Sequence, residues 1–112
     1  MYIPEDRTFR NQILYLPNLA RDENPLRGLV FEDCRIEGPA VVYFTNCRFE
    51  QSSWDTPGDT LEPLFWIVDE GIRVGAIGMD HCEFDRCRLR NIGIAGTQDI
   101  IDMFRQNIAP QL

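Results

Sequence analysis

Four cysteines, Cys34, Cys47, Cys82 and Cys87, and a single histidine, His81, are the residues of this chain best suited to chemistry. A thiolate beside an imidazole is a nucleophile, and thiolates with imidazole are the usual ligands of zinc. The spacing does not fit the common zinc sites, because no two cysteines are separated by two residues. In an extended chain Cys82 and His81 point to opposite sides, so the imidazole faces away from the neighbouring thiol. The carboxylate pairs Asp69/Glu70 and Asp80/Asp85 could perform acid–base work on sugars, but such work needs a groove longer than a short chain provides. The sequence contains no lysine, which removes Schiff-base chemistry and a phosphate-loop lysine together. No glycine-rich phosphate loop, paired-histidine metal motif or serine-nucleophile elbow is present. The reading is therefore of a non-enzyme with no cofactor and no metal, and a thiol- or metal-dependent enzyme is its second alternative.

The cysteines share a setting that explains them better. Each begins a triplet of cysteine, charged residue and large apolar residue: CRI, CRF, CEF and CRL. Those triplets belong to a five-residue repeat that covers 27–54 and 75–94. Its third places hold small or apolar residues, among them Cys34, Cys47, Cys82 and Cys87. Its fifth places hold Phe31, Ile36, Val41, Phe49, Trp54, Met79, Phe84, Leu89 and Ile94, all large and apolar. A strand puts residues i and i+2 on one face, so the third and fifth places point together and a bend must follow before the next pair can face inward. Cysteine in a small inward place acts as a small hydrophobe. The expected core ladder is Cys34, Cys47, Cys82 and Cys87 with Phe31, Ile36, Phe49, Met79, Phe84, Leu89 and Ile94.

The units Cys47–Gln51 (CRFEQ) and Cys82–Arg86 (CEFDR) resemble the pentapeptide-repeat family, whose unit centres on a large Leu or Phe with a small Ala or Cys two places before it. The resemblance implies an all-β fold, a small right-handed parallel β-helix with about four pentads per turn. Here a short C-terminal α-helix would cap it. Arg35, Arg48, Glu83 and Arg88 stand where the family favours Asp or Asn, which leaves longer, uneven coils as a variant. A small β-sandwich or β-roll is the alternative, since alternation at i and i+2 serves any half-buried strand.

At 112 residues the chain makes one domain, which the repeat divides. Residues 1–26 read as an irregular N-terminal cap, with Pro17 and Pro25 opposing a long helix. Residues 27–54 are repeat coils, 55–74 an acidic loop and strand insertion, and 75–94 a further coil. Residues 97–108 form the C-terminal helix, with Thr97 as N-cap and Ile100, Met103, Phe104 and Ile108 at helical spacing.

The formal charge is −7, from 18 acids against 11 bases. That balance opposes direct nucleic-acid binding, which needs a basic footprint. No run approaches the ~20 apolar residues of a membrane span, and the first residues lack a leader-like apolar stretch, so the expected setting is cytoplasmic. Six acids and no base lie between Arg48 and Arg73. Within that stretch Asp55, Asp59, Glu62, Asp69 and Glu70, with Trp54 and Trp66 as aromatic anchors, are the candidate contacts for a protein partner. The leading expectation is a binding or structural module that self-associates as a homodimer or other homo-oligomer. The alternative implied by the family resemblance is a DNA-mimicking regulator of a topoisomerase such as DNA gyrase.

Overall fold

The structure is a computed structural model and describes residues 3–55, 65–67 and 76–107. The five-residue step takes its physical form at the bends. Each turning residue is the second of a pentad, and Gly28, Asp33, Asn46, Gln51, His81, Arg86 and Asn91 all have φ between 51° and 62°. This left-handed region suits glycine and is tolerated best by short polar residues, which accounts for the Asp, Asn and His among them. The bend also hands its N–H to the adjacent strand. Asp33 donates to the carbonyl of Asp85, His81 to that of Thr45 and Arg86 to that of Glu50, each at 2.9 Å.

Between bends lie short strands: β1 (Thr8–Arg10), β2 (Ile13–Tyr15), β3 (Leu26–Arg27), β4 (Val30–Glu32), β5 (Arg35–Thr45), β6 (Arg48–Glu50), β7 (Ser53–Asp55), β8 (Phe65–Ile67), β9 (Ile77–Asp80), β10 (Glu83–Asp85) and β11 (Arg88–Gly96). Two helices, α1 (Leu16–Asp22) and α2 (Gln98–Asn107), complete the described chain. The strands form a four-stranded and a seven-stranded sheet, and every pairing among them is parallel.

The order within the sheets overturns the expected β-helix. Coils stacked as the chain makes them would run β1, β4, β6, β10. The first sheet instead runs β1-β4-β10-β6, and β11 likewise lies between β5 and β7 in the second. The last repeat has slotted between the second and third, so the sheets do not grow coil upon coil and the fold is not a solenoid. The two helices remove it further from an all-β architecture. The parallel pairing equally overturns the sandwich or roll alternative, whose hairpin-linked strands would run antiparallel. The long connection between β7 and β9 makes the return possible, because rejoining a sheet in parallel takes a dozen or more residues.

Residues 1–26, expected to be irregular, carry β1, β2, α1 and β3. Phe9 pairs with Phe31 and Leu14 with Ile36, so the five-residue step from Phe9 to Leu14 belongs to the repeat. Pro17 falls in the first turn of α1, where its missing N–H costs nothing. A second difference concerns β5. Asn91 stands opposite two residues, Gly38 and Pro39, because Arg90 pairs with Glu37 but Ile92 with Ala40. This extra residue shifts the frame by one. Val42 and Phe44 are buried, while Val41 is half-buried and Pro39 exposed. Glycine is required at 38, since a Cβ there would lie 2.1 Å from the Asn91 carbonyl oxygen.

The inward row of the first sheet is a stack of rings. Phe9, Phe31, Phe84 and Phe49 follow at centroid distances of 5.5, 5.0 and 4.7 Å with planes within 10° of parallel. The corresponding row of the second sheet is Leu14, Ile36, Leu89 and Trp54. Trp54, the largest of these side chains, closes its row at the end where α2 packs. Phe104 of that helix meets Phe44, Phe49 and Trp54 at 5.8, 5.8 and 6.1 Å. Ile101 is the buried residue of α2, whereas Met103, placed inward by the helical spacing, is 61% exposed. No helix among the described residues is long and apolar enough to cross a membrane.

Candidate functional site

The third-place residues form two rows, one at each corner that leads into a sheet. Before the first sheet the row is Leu29, Cys82, Cys47, and before the second it is Gln12, Cys34, Cys87, Ser52, as the pairings of the residues that follow them require. The four cysteines therefore divide into two neighbouring pairs, Cys47 with Cys82 and Cys34 with Cys87. All four are free thiols, and only Cys47 is not fully buried. Had the strands kept chain order, Ser52 would separate Cys34 from Cys87. The remaining core-ladder residues, Phe31, Ile36, Met79, Phe84, Leu89 and Ile94, are buried, and Phe49 is half-buried.

Each Sγ lies within hydrogen-bond reach of a carbonyl one strand away: Cys34 of Phe9 at 3.4 Å, Cys87 of Phe31 at 3.2 Å, Cys47 of Met79 at 3.3 Å and Cys82 of Leu26 at 3.6 Å. Within a pair the two sulfurs do not ionise alike. A hydrogen bond from the Cys87 thiol, aided by backbone groups at Gln12 and Glu32, lowers Cys34 to about 7 against the burial that opposes it. Cys87, facing that sulfur in a buried place, is pushed up. Cys47 is lowered by the Cys82 thiol, and Cys82 is raised in turn. A thiolate facing a protonated thiol is the lowest-charge way for such a pair to ionise.

His81 takes no part in this chemistry. Its side chain is 67% exposed and its Nδ1 lies 2.7 Å from Asp80 Oδ1, while the Cys82 thiol is directed at carbonyls inside.

The outer face of the first sheet is charged. Arg10, Glu32, Asp85 and Glu50 occupy consecutive strands at one register position, and Thr8, Val30, Glu83 and Arg48 occupy another. Arg10 Nε meets Glu32 at 3.0 Å, Arg48 meets Glu83 at 3.4 Å, and Arg86 holds both oxygens of Asp33 at 2.8 and 3.0 Å as well as Asp85 at 2.8 Å. The Arg86 guanidinium holds the Asp33 carboxyl below its usual range. A shallow groove of about 190 Å³ runs across this face between Val30, Glu32, Arg48, Glu50, Glu83 and Asp85.

Of the candidate partner contacts, Trp54 is fully buried and offers nothing to another chain. Asp55 is half-buried, and both its oxygens accept from Arg88 Nε at 2.9 and 3.0 Å. Trp66 lies on β8, at the position that pairs with Ala95. Asp59, Glu62, Asp69 and Glu70 lie outside the described residues. Ile13 and Tyr15, to which no role was assigned, stand out instead. They are 65% and 43% exposed on β2, a strand that pairs on one side only, with β5, among the described residues. The alternation in ILY was a readable signal for them, since an inward Leu14 turns both neighbours outward.

Compared with protein-family models, curated proteins and solved structures, the chain matches none of them.

Proposed function

We propose that this chain is a non-enzymatic binding module that joins a second copy of itself along the open edge of the sheets made by β1 and β2. The observation that carries this reading is the pair of exposed apolar side chains, Ile13 and Tyr15, on a strand that pairs on one side only among the described residues. An edge strand presents unpaired N–H and C=O groups, and proteins that keep such edges single place charges or proline there. A two-fold axis beside β2 would set it antiparallel to its own copy and bring the two Ile13–Tyr15 patches together. The other exposed face speaks less for a partner, because its arginines and acids already satisfy one another. The same interleaving weakens the alternative of a DNA mimic, which needs an uninterrupted acidic surface.

Light scattering at micromolar concentration tests the reading. The expected mass is that of a dimer, and Ile13→Lys is expected to shift it to the monomer with the circular dichroism spectrum unchanged. A wild-type monomer throughout that range overturns the proposal.

A further inference from the structure

Cys47 and Cys82 immediately precede the paired residues Arg48 and Glu83, and the Arg48 N–H donates to the Cys82 carbonyl at 3.0 Å, so the two cysteines stand at matched positions on neighbouring parallel strands. Their side chains are oriented alike. Cys47 Sγ approaches the carbonyls of Met79 and Thr45 at 3.3 and 3.6 Å, and Cys82 Sγ those of Leu26 and Asp80 at 3.6 Å each. Met79 pairs with Leu26 and Thr45 with Asp80, so one sulfur repeats the other after a single strand step. That step is ~4.8 Å.

We propose that Cys47 and Cys82 hold one soft monovalent closed-shell cation, Cu(I), in linear two-sulfur coordination. Zinc–thiolate bonds are roughly 2.3 Å, and two slightly shorter bonds to a two-coordinate Cu(I) span about 4.4 Å, within about half an ångström of the strand step. The ion therefore replaces two thiol protons with little movement of either strand. A disulfide would have to draw the sulfurs to ~2.05 Å and the Cβ atoms to ~3.8 Å, against the sheet that spaces them. Thiolates select Cu(I) by softness, whereas zinc demands four ligands. Among the described residues no group of three or more His, Cys, Asp or Glu could supply them.

Access favours the same pair. Cys47 leads into β6, the end strand of the first sheet among the described residues, and is half-buried. The step is Cu⁺ plus two thiols giving a bis-thiolate complex of charge −1 and two protons, with no change of oxidation state. Cys34 and Cys87 are matched in the same way but are 3% and 2% exposed, enclosed between Gln12 and Ser52. They serve as the closed counterpart within the same chain.

Anaerobic titration of the fully reduced protein with Cu(I), supplied as its acetonitrile complex in competition with bicinchoninate, tests the site. One equivalent per chain is expected to be withheld from the chelator, with X-ray absorption showing two sulfurs at a bond length below the roughly 2.3 Å of zinc–thiolate. Cys47→Ser, a mild change at a half-buried position, is expected to weaken retention at least a hundredfold with an unchanged melting temperature. Cys34→Ser is expected to leave the equivalent in place. Transfer of all copper from the wild type to the chelator overturns the proposal, and so do undiminished retention by Cys47→Ser or three sulfurs around the metal.

Discussion

The two faces of the four-stranded sheet use the same register for opposite purposes. Inward, Phe9, Phe31, Phe84 and Phe49 stack without a break and are shut off from water except at the Phe49 end. Outward, one residue along, Arg10, Glu32, Asp85 and Glu50 form a ladder of charges tied by arginines that water can replace. Stability belongs to the first face, since ring burial is worth kilocalories and exposed ion pairs little. The outer face keeps the strands soluble and compatible with any neighbour of opposite sign.

The largest test of that contrast is Phe84→Ala. Phe84 is the ring between Phe31 and Phe49, so its removal leaves a cavity in mid-stack, and a loss of about 3–5 kcal/mol in chemical denaturation is expected. A loss below 1 kcal/mol would mean that the stack is not the core. An intermediate effect is expected at the bends that join the faces. His81 sits at φ 53°, where a β-branched side chain is an outlier. His81→Val is therefore expected to cost about 1–2 kcal/mol, and His81→Gly to be neutral or slightly stabilising. Equal melting temperatures for the two variants would contradict the bend.

The smallest effect is expected outside, at Arg86. Because Arg86 lowers the folded-state pKa of Asp33, the stability this pair adds is present above the unfolded value of 3.8 and lost as pH falls through the lowered one. Arg86→Ala should melt slightly below the wild type at pH 7, with the gap closing under acid and in high salt. A gap that persists at pH 2 would show that Arg86 acts through packing instead.

Much of the local structure was readable before any tertiary contact was known. The fifth-place residues Phe31, Ile36, Phe84 and Leu89 read as inward from spacing alone, and Asp33, Asn46, His81 and Asn91 stand at bends that favour residues of their kind. Phe9 and Leu14 are harder to read because Arg7 and Gln12 stand where the repeat elsewhere has a small or apolar residue. Val41 misled because the extra residue at Gly38–Pro39 leaves no mark in a five-residue count. Trp54 carries two readings in the sequence, an inward fifth place and a surface anchor beside an acidic stretch, and its contacts with Phe44, Phe49 and Phe104 decide for the first.

What the sequence by itself determined is which way the side chains point where the five-residue step is unbroken and where the chain bends, because strand alternation and left-handed turns act within five residues. The tertiary structure alone decided which strands became neighbours. Every repeat offers the same apolar inner row and the same open backbone edge, so local rules accept any order. The observed order places β10 between β4 and β6 and β11 between β5 and β7. That order set Cys34 beside Cys87 and left Cys47 beside Cys82 at the end strand of the first sheet among the described residues.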